Sequence, residues 1–177
     1  MSERLVTSRL VHSLRYEWSA GVAGGAVAGV GMGVVFHAGA NLMPFVGALY
    51  GWPTVVGGWV VHLLNSVLAG IVFSIIVSHP WVSEQTANVR ECVAAGVVYA
   101  AAIGLLSTGV LLPVSMQALG VQTFPEPLVP LPGLLGTFLV VVSVGVAHVV
   151  YGVLLGATYA TVQGRLRAGV ETAESMP

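Results

Sequence analysis

Polar and apolar positions alternate along this chain in long blocks. From Trp18 to Ser83 there is no Lys, Arg, Asp or Glu, and the same holds from Cys92 to Pro125 and from Pro127 to Gly164. A helix crosses the hydrocarbon core of a bilayer with about 20 apolar residues. The blocks predict four spans, at residues 18–43, 54–77, 91–112 and 134–161. Backbone polar groups in lipid must be satisfied within the segment, so the spans are read as helices. The fold class is therefore all-α integral membrane. Residues 1–17 form an N-terminal segment, 18–163 a four-helix transmembrane domain and 164–177 a tail.

Composition strengthens this picture. Charged residues make up 7% of the 177 and hydrophobic ones 56%, whereas a soluble domain carries roughly a quarter charged residues. A net charge of −1 offers nothing to a nucleic acid. Cys92 is the only cysteine, which excludes an internal disulfide and a cysteine-based metal motif. The arginines set the expected orientation. Arg4, Arg9 and Arg15 precede the first span, Arg90 lies between the second and third, and Arg165 and Arg167 follow the fourth. The positive-inside rule then places both termini in the cytoplasm and the protein, multi-pass, in the cell membrane. The first apolar run is longer than the roughly 7–15 residues of a signal-peptide core, so it is read as a retained span despite Ala38-Gly39-Ala40.

A repeat is visible within the apolar blocks. "PFVGALYG" (Pro44 to Gly51) follows the first span and "PVSMQALG" (Pro113 to Gly120) the third, each with Pro, then Ala-Leu, then Gly at the outer turn. A histidine helix comes next in each half: "HLLNSVLAG" from His62 and "HVVYGVLLG" from His148. The chain reads as two copies of one hairpin in parallel orientation, the second turn lengthened by "QTFPEPLVPLP".

Each span also carries small residues at every fourth position. Gly21, Gly25, Gly29 and Gly33 mark the first, Gly58, Ser66 and Gly70 the second, Cys92, Gly96, Ala100 and Gly104 the third, and Gly152 and Gly156 the fourth. Helices in lipid associate by close van der Waals approach, which such stripes allow, so their plainest meaning is a tight bundle. The stripe of the first span is longer than one neighbour requires, and predicts a homo-oligomer or docking to a larger membrane complex. Trp52, Trp59 and Trp81, with Tyr50, are expected at the membrane interfaces.

His37, His62 and His148 all fall on the small-residue stripes and so point inward. Ionisable residues at membrane depth are costly and are treated first as functional. Three readings follow. In one, His62 and His148 are axial ligands of a single b-type haem, with Ser66, Gly70, Gly152 and Gly156 making room for the macrocycle; the protein is then an electron-transfer module of a membrane redox complex. This pattern resembles membrane cytochrome b bundles, in which histidines on two facing helices hold haem beside glycines. In the second, neutral histidines hydrogen-bond across helices with Asn65, Ser66 or Asn41, no cofactor is bound, and the protein is a non-catalytic structural or accessory subunit. In the third, His37, His62 and His148 hold Zn or Cu, or pass protons. No carboxylate lies at membrane depth to assist a proton path. The chain has no phosphate loop, Ser-His-Asp set or HExxH, so no catalytic activity of its own is expected.

"VGALYGWP" (Val46 to Pro53) and the two histidine segments are similar to stretches of a group of small four-span archaeal and bacterial membrane proteins. The resemblance covers roughly residues 20–160. It implies the four-span fold and supplies no activity. Some of that group carry the label histidine kinase, which does not suit a chain with no soluble ATP-binding domain.

Overall fold

The computed structural model describes residues 2–123, 125–127, 131 and 133–164, and for residues 2–17 the backbone alone. Arg165, Arg167 and the rest of the tail, with part of the Pro-rich turn, lie outside the described residues. Helix α1 runs over Ser2–Ala40, α2 over Met43–Ala48, α3 over Val55–Ser78 and the one-turn α4 over Pro80–Ser83. A 3₁₀ turn at Glu84–Thr86 leads to α5 (Val89–Leu106), a π segment (Ser107–Leu111), α6 (Leu112–Ala118) and α7 (Leu134–Val162). Four stretches are long and apolar enough to cross a membrane: Trp18–Ala40, Val55–Ser78, Val89–Ala118 and Leu134–Val162. The protein is an all-α, four-helix membrane protein. Leu64, Leu105 and Phe138 stand 60%, 78% and 64% exposed on its outer surface, a face that lipid accommodates and water does not.

Two of the expected boundaries move, and both shifts trace to the proline turns. Pro44 lies in the first turn of a short helix, where the missing N–H costs nothing, and Pro113 holds the matching place at the start of α6. Gly51 and Gly120 follow those helices at φ +71° and +66°, a conformation that glycine adopts without penalty. In the first hairpin the chain breaks before the short helix, at Asn41 (φ +48°) and Leu42, so the first span ends at Ala40 rather than at residue 43. The path from Gly104 to Pro113 is two residues shorter than that from Gly33 to Pro44, and it does not break. The Pro113 ring would collide with the carbonyl four residues earlier. One wide turn absorbs the conflict, with Leu112 N–H donating to Ser107 O, as π-bulges do. The third span therefore continues to Ala118 instead of stopping at 112.

At the other end α3 stops at His79, extended ahead of Pro80, and polar caps start the helices on either side. Asn88 and Glu91 form a capping box: Glu91 N–H donates to Asn88 Oδ1 at 3.0 Å, and Asn88 N–H to Glu91 Oε2 at 3.2 Å. Thr54 caps the start of α3 by accepting from Gly57 N–H at 2.9 Å.

The stripes place the helices. α1 packs on both α3 and α7, and α5 packs on α7, whereas α3 and α5 meet only sparsely. The repeat holds contact by contact. A Cβ added at Gly25 would meet Ser66 O of α3, and one at Gly96 would meet Gly152 O of α7. Gly70 lies on Gly21 and Gly25, and Gly156 on Cys92 and Val93. A Cβ at Gly33 would come 3.1 Å from His62 Cδ2, and one at Gly104 3.0 Å from His148 Cδ2. The same two-helix seam is built twice.

The seam also corrects one expectation. The whole stripe from Gly21 to Gly33 is covered by α3, and Gly24, Gly31 and Gly39 on another face of α1 abut Leu155, Leu154 and Ser143 of α7. Both glycine faces of α1 are used inside the molecule. The length of that stripe is no argument for an oligomer or a partner complex.

Candidate functional site

An apolar cavity of about 160 Å³ lies where the four spans fail to close. Met32 and Phe36 of α1, Leu42 with Phe45 and Leu49 around α2, and Ala69 of α3 supply apolar wall. On the α5 side the wall is Ile103 and the turn that Pro113 imposes, with Ser107, Thr108 and Leu111. Its polar atoms come from His62, Asn65 and Ser66 of α3, from Ser107, Thr108 and Ser115, and from His148 and Tyr151 of α7. Among the described residues, no Lys, Arg, Asp or Glu lines it. Toward the chain termini the gap between α3 and α5 is shut. Tyr99 there packs its ring, tilted, at 5.4 Å from Phe73 and donates its hydroxyl to Ala69 O at 2.7 Å. Tyr151 reaches across to donate to Ser66 O, also at 2.7 Å.

The repeat brings His62 and His148 to this one cavity, both 5% exposed and both packed on the Phe36 ring with centroids 5.7 Å apart. Their hydrogen bonds differ. His62 Nε2 is 2.9 Å from Gly29 O, which can only accept, so Nε2 carries the proton and Nδ1 is the bare lone pair. His148 Nδ1 is 2.8 Å from Val144 O and therefore carries the proton, leaving Nε2 as an acceptor 3.2 Å from Ser107 Oγ, whose one hydroxyl proton it shares with Gly104 O at 3.1 Å. The two rings are opposite tautomers. The cause is local: in the register that pairs Gly33 with Gly104, Phe36 stands where the second copy has Ser107. With no hydroxyl to meet, His62 turns instead to the backbone of α1.

Both histidines thus tie helices together, α3 to α1 and α7 to α5, as the cross-linking reading expects. The partners differ from those expected: two backbone carbonyls and Ser107 take the place of Asn65, Ser66 and Asn41. Asn65 instead accepts from the Tyr50 hydroxyl through Oδ1 at 2.7 Å. This leaves the Asn65 amide N–H groups free of that bond, on the helix face that lines the cavity.

The residues named for haem do not form a slot for it. Gly70, Gly152 and Gly156 give their space to the backbone of the neighbouring helix. Each histidine Nε2 already has a protein partner. An apolar cavity of about 150 Å³ takes one benzene ring, and a porphyrin has four pyrrole rings. His37 does not join the other two. It lies against Trp59 at 6.2 Å, which in turn contacts His62 at 6.2 Å, and its buried Nδ1 has no hydrogen-bond partner. Among the described residues, no group of three or more His, Cys, Asp or Glu side chains could hold a metal ion. Trp59 is accordingly a core-facing ring, unlike the exposed Trp52 and Trp81.

The sequence reasoning passed over Phe36, Ser107 and Tyr151. A signal for each was present: Tyr151 lies three residues beyond His148, and Phe36 and Ser107 occupy matched places in the two copies. Comparison with family models, with curated proteins and with solved structures finds no match to this chain.

Proposed function

We propose that this protein is a membrane-embedded binding protein whose cavity receives an apolar molecule from the bilayer through the gap between α3 and α5. One observation carries the reading: a ring-sized, mostly apolar cavity with a few convergent polar groups, placed where two spans barely touch. Small-molecule sites have this make-up. Access from the lipid suits the walls, because among the described residues no charged group lines them to hold water or an ionic head. The histidines shape the wall and hold the helices in register.

Brominated 4-dodecylbenzene, whose bromine quenches a nearby indole, tests this. The host is a chain in nanodiscs in which Trp18, Trp52 and Trp81 are replaced by Phe, leaving Trp59 against His62 as the reporter. Saturable quenching is expected, and Ala69→Phe, which fills the cavity, should abolish it. Quenching that rises without saturation, equally in both chains, would overturn the reading. A haem spectrum in the freshly purified protein would return it to electron transfer.

The arginine pattern places both termini in the cytoplasm on this reading. Labelling of a cysteine introduced at Ser8, in a Cys92→Ser chain, should require permeabilised cells. Labelling from outside would reverse the orientation.

A further inference from the structure

Resting on the cavity reading, the inference concerns which end of a molecule the cavity takes. Its polar groups come from several helices, and two of them are close neighbours on one. His62 and Asn65 are three residues apart on α3, and positions so spaced share a helix face. His62 offers a bare Nδ1, because Nε2 donates to Gly29 O. Asn65 offers amide N–H, because Tyr50 holds its Oδ1. Both residues line the cavity, so one lone pair and one donor belong to the same face of α3.

A group that both donates and accepts through one oxygen matches this pair, and a hydroxyl is such a group. Its hydrogen would go to His62 Nδ1 and its oxygen would accept from the Asn65 amide. A carbonyl or an ether satisfies only Asn65. A phosphate or carboxylate would bring a charge to a site with no cation among its lining residues, at a heavy desolvation cost. The volume sets the size, since about 160 Å³ holds one six-membered ring and little more. We propose that the cavity binds the hydroxylated ring of a phenol- or quinol-type lipid, with the His62–Asn65 pair reading the hydroxyl and the apolar chain leaving between α3 and α5.

The test uses ring-brominated 4-dodecylphenol and its methyl ether at equal mole fraction in nanodiscs, read by Trp59 quenching, with brominated dodecylbenzene as the reference. The ether keeps the oxygen that Asn65 sees and loses the proton that His62 takes. The phenol should bind about tenfold more tightly than the ether, the worth of one hydrogen bond to an otherwise unpaired buried acceptor. His62→Phe should bring that ratio to about one. Asn65→Leu, which leaves the link to Gly29 in place, should weaken both probes about threefold or more and keep the ratio. A native ratio near one, with dodecylbenzene still saturable, would overturn the hydroxyl inference and leave the cavity reading standing. So would an Asn65→Leu chain that binds both probes as tightly as the native one. If none of the three probes saturates, the cavity reading itself falls.

Discussion

Two sides of this bundle ought to be alike and are not. A parallel repeat of two hairpins relates the α1–α7 side to the α5–α3 side, yet one is sealed and the other gapes. On the sealed side, Gly24, Gly31 and Gly39 of α1 let Leu155, Leu154 and Ser143 of α7 approach closely, and Ala28 and Ala147 are fully buried. On the open side, Gly109 has nothing within 4 Å of an added Cβ. The two helices there are joined by Tyr99, through its ring on Phe73 and its hydroxyl on Ala69 O. Within each hairpin, by contrast, the small-residue contacts of the two copies correspond pair by pair. The difference teaches where a repeat protein is free to vary: the seams inside each copy hold the fold, so one of the two sides between copies can open without loss of the bundle.

Substitutions can break this comparison. The largest effect is expected inside the hairpins. Gly70→Leu and Gly156→Leu each drive a side chain into the backbone of the partner helix, and each should cost more than about 4 kcal/mol. Unfolding titrations in mixed micelles should show similar losses for the pair, and a clear inequality would weaken the repeat. Gly29→Leu belongs to the same group, since an added Cβ already meets Ser66 Cβ at 2.5 Å. Val30→Leu, on the lipid-facing side, should stay within about 0.5 kcal/mol.

The two sides between copies should come next, and should differ from each other. Gly31→Phe on the sealed side should cost about 2–3 kcal/mol by overpacking. Thr108→Phe on the open side should change stability by less than about 1 kcal/mol while blocking saturable probe binding. Equal losses from the two would remove the distinction between sealed and open sides. The smallest effect is expected for Tyr99→Phe, which deletes the hydrogen bond from α5 to Ala69 O of α3. Such bonds in membrane bundles average about 0.6 kcal/mol. Its sharper readout is faster probe exchange, because the gap loses the latch at its closed end.

How much of the site could be read from the chain depends on how far each signal reaches. His62 and His148 were legible, because helical period and the repeated motif put them on matched inward faces. The use of the glycines was half legible. A small-residue stripe signals close approach to something, and backbone and macrocycle look alike in one dimension. His37 has the same periodicity as His62 but packs against Trp59, while His62 and His148 share Phe36. Pro113 was read as the end of a helix, as a proline usually is, and instead it imposes a wide turn that carries the helix through and places Ser107 against His148.

By itself the sequence determined the number of spans, their inward faces and the two-copy hairpin. These follow from hydropathy and from periods of about four residues, which are local properties of single helices. Only the tertiary structure decided that α1 and α7 close while α3 and α5 part, that the two histidines take opposite tautomers, and that a ring-sized space remains between them. Those outcomes depend on how the volumes of residues far apart in the chain fit against one another, Phe36 against His62 and Ser107 against His148 among them. No single helix contains that information.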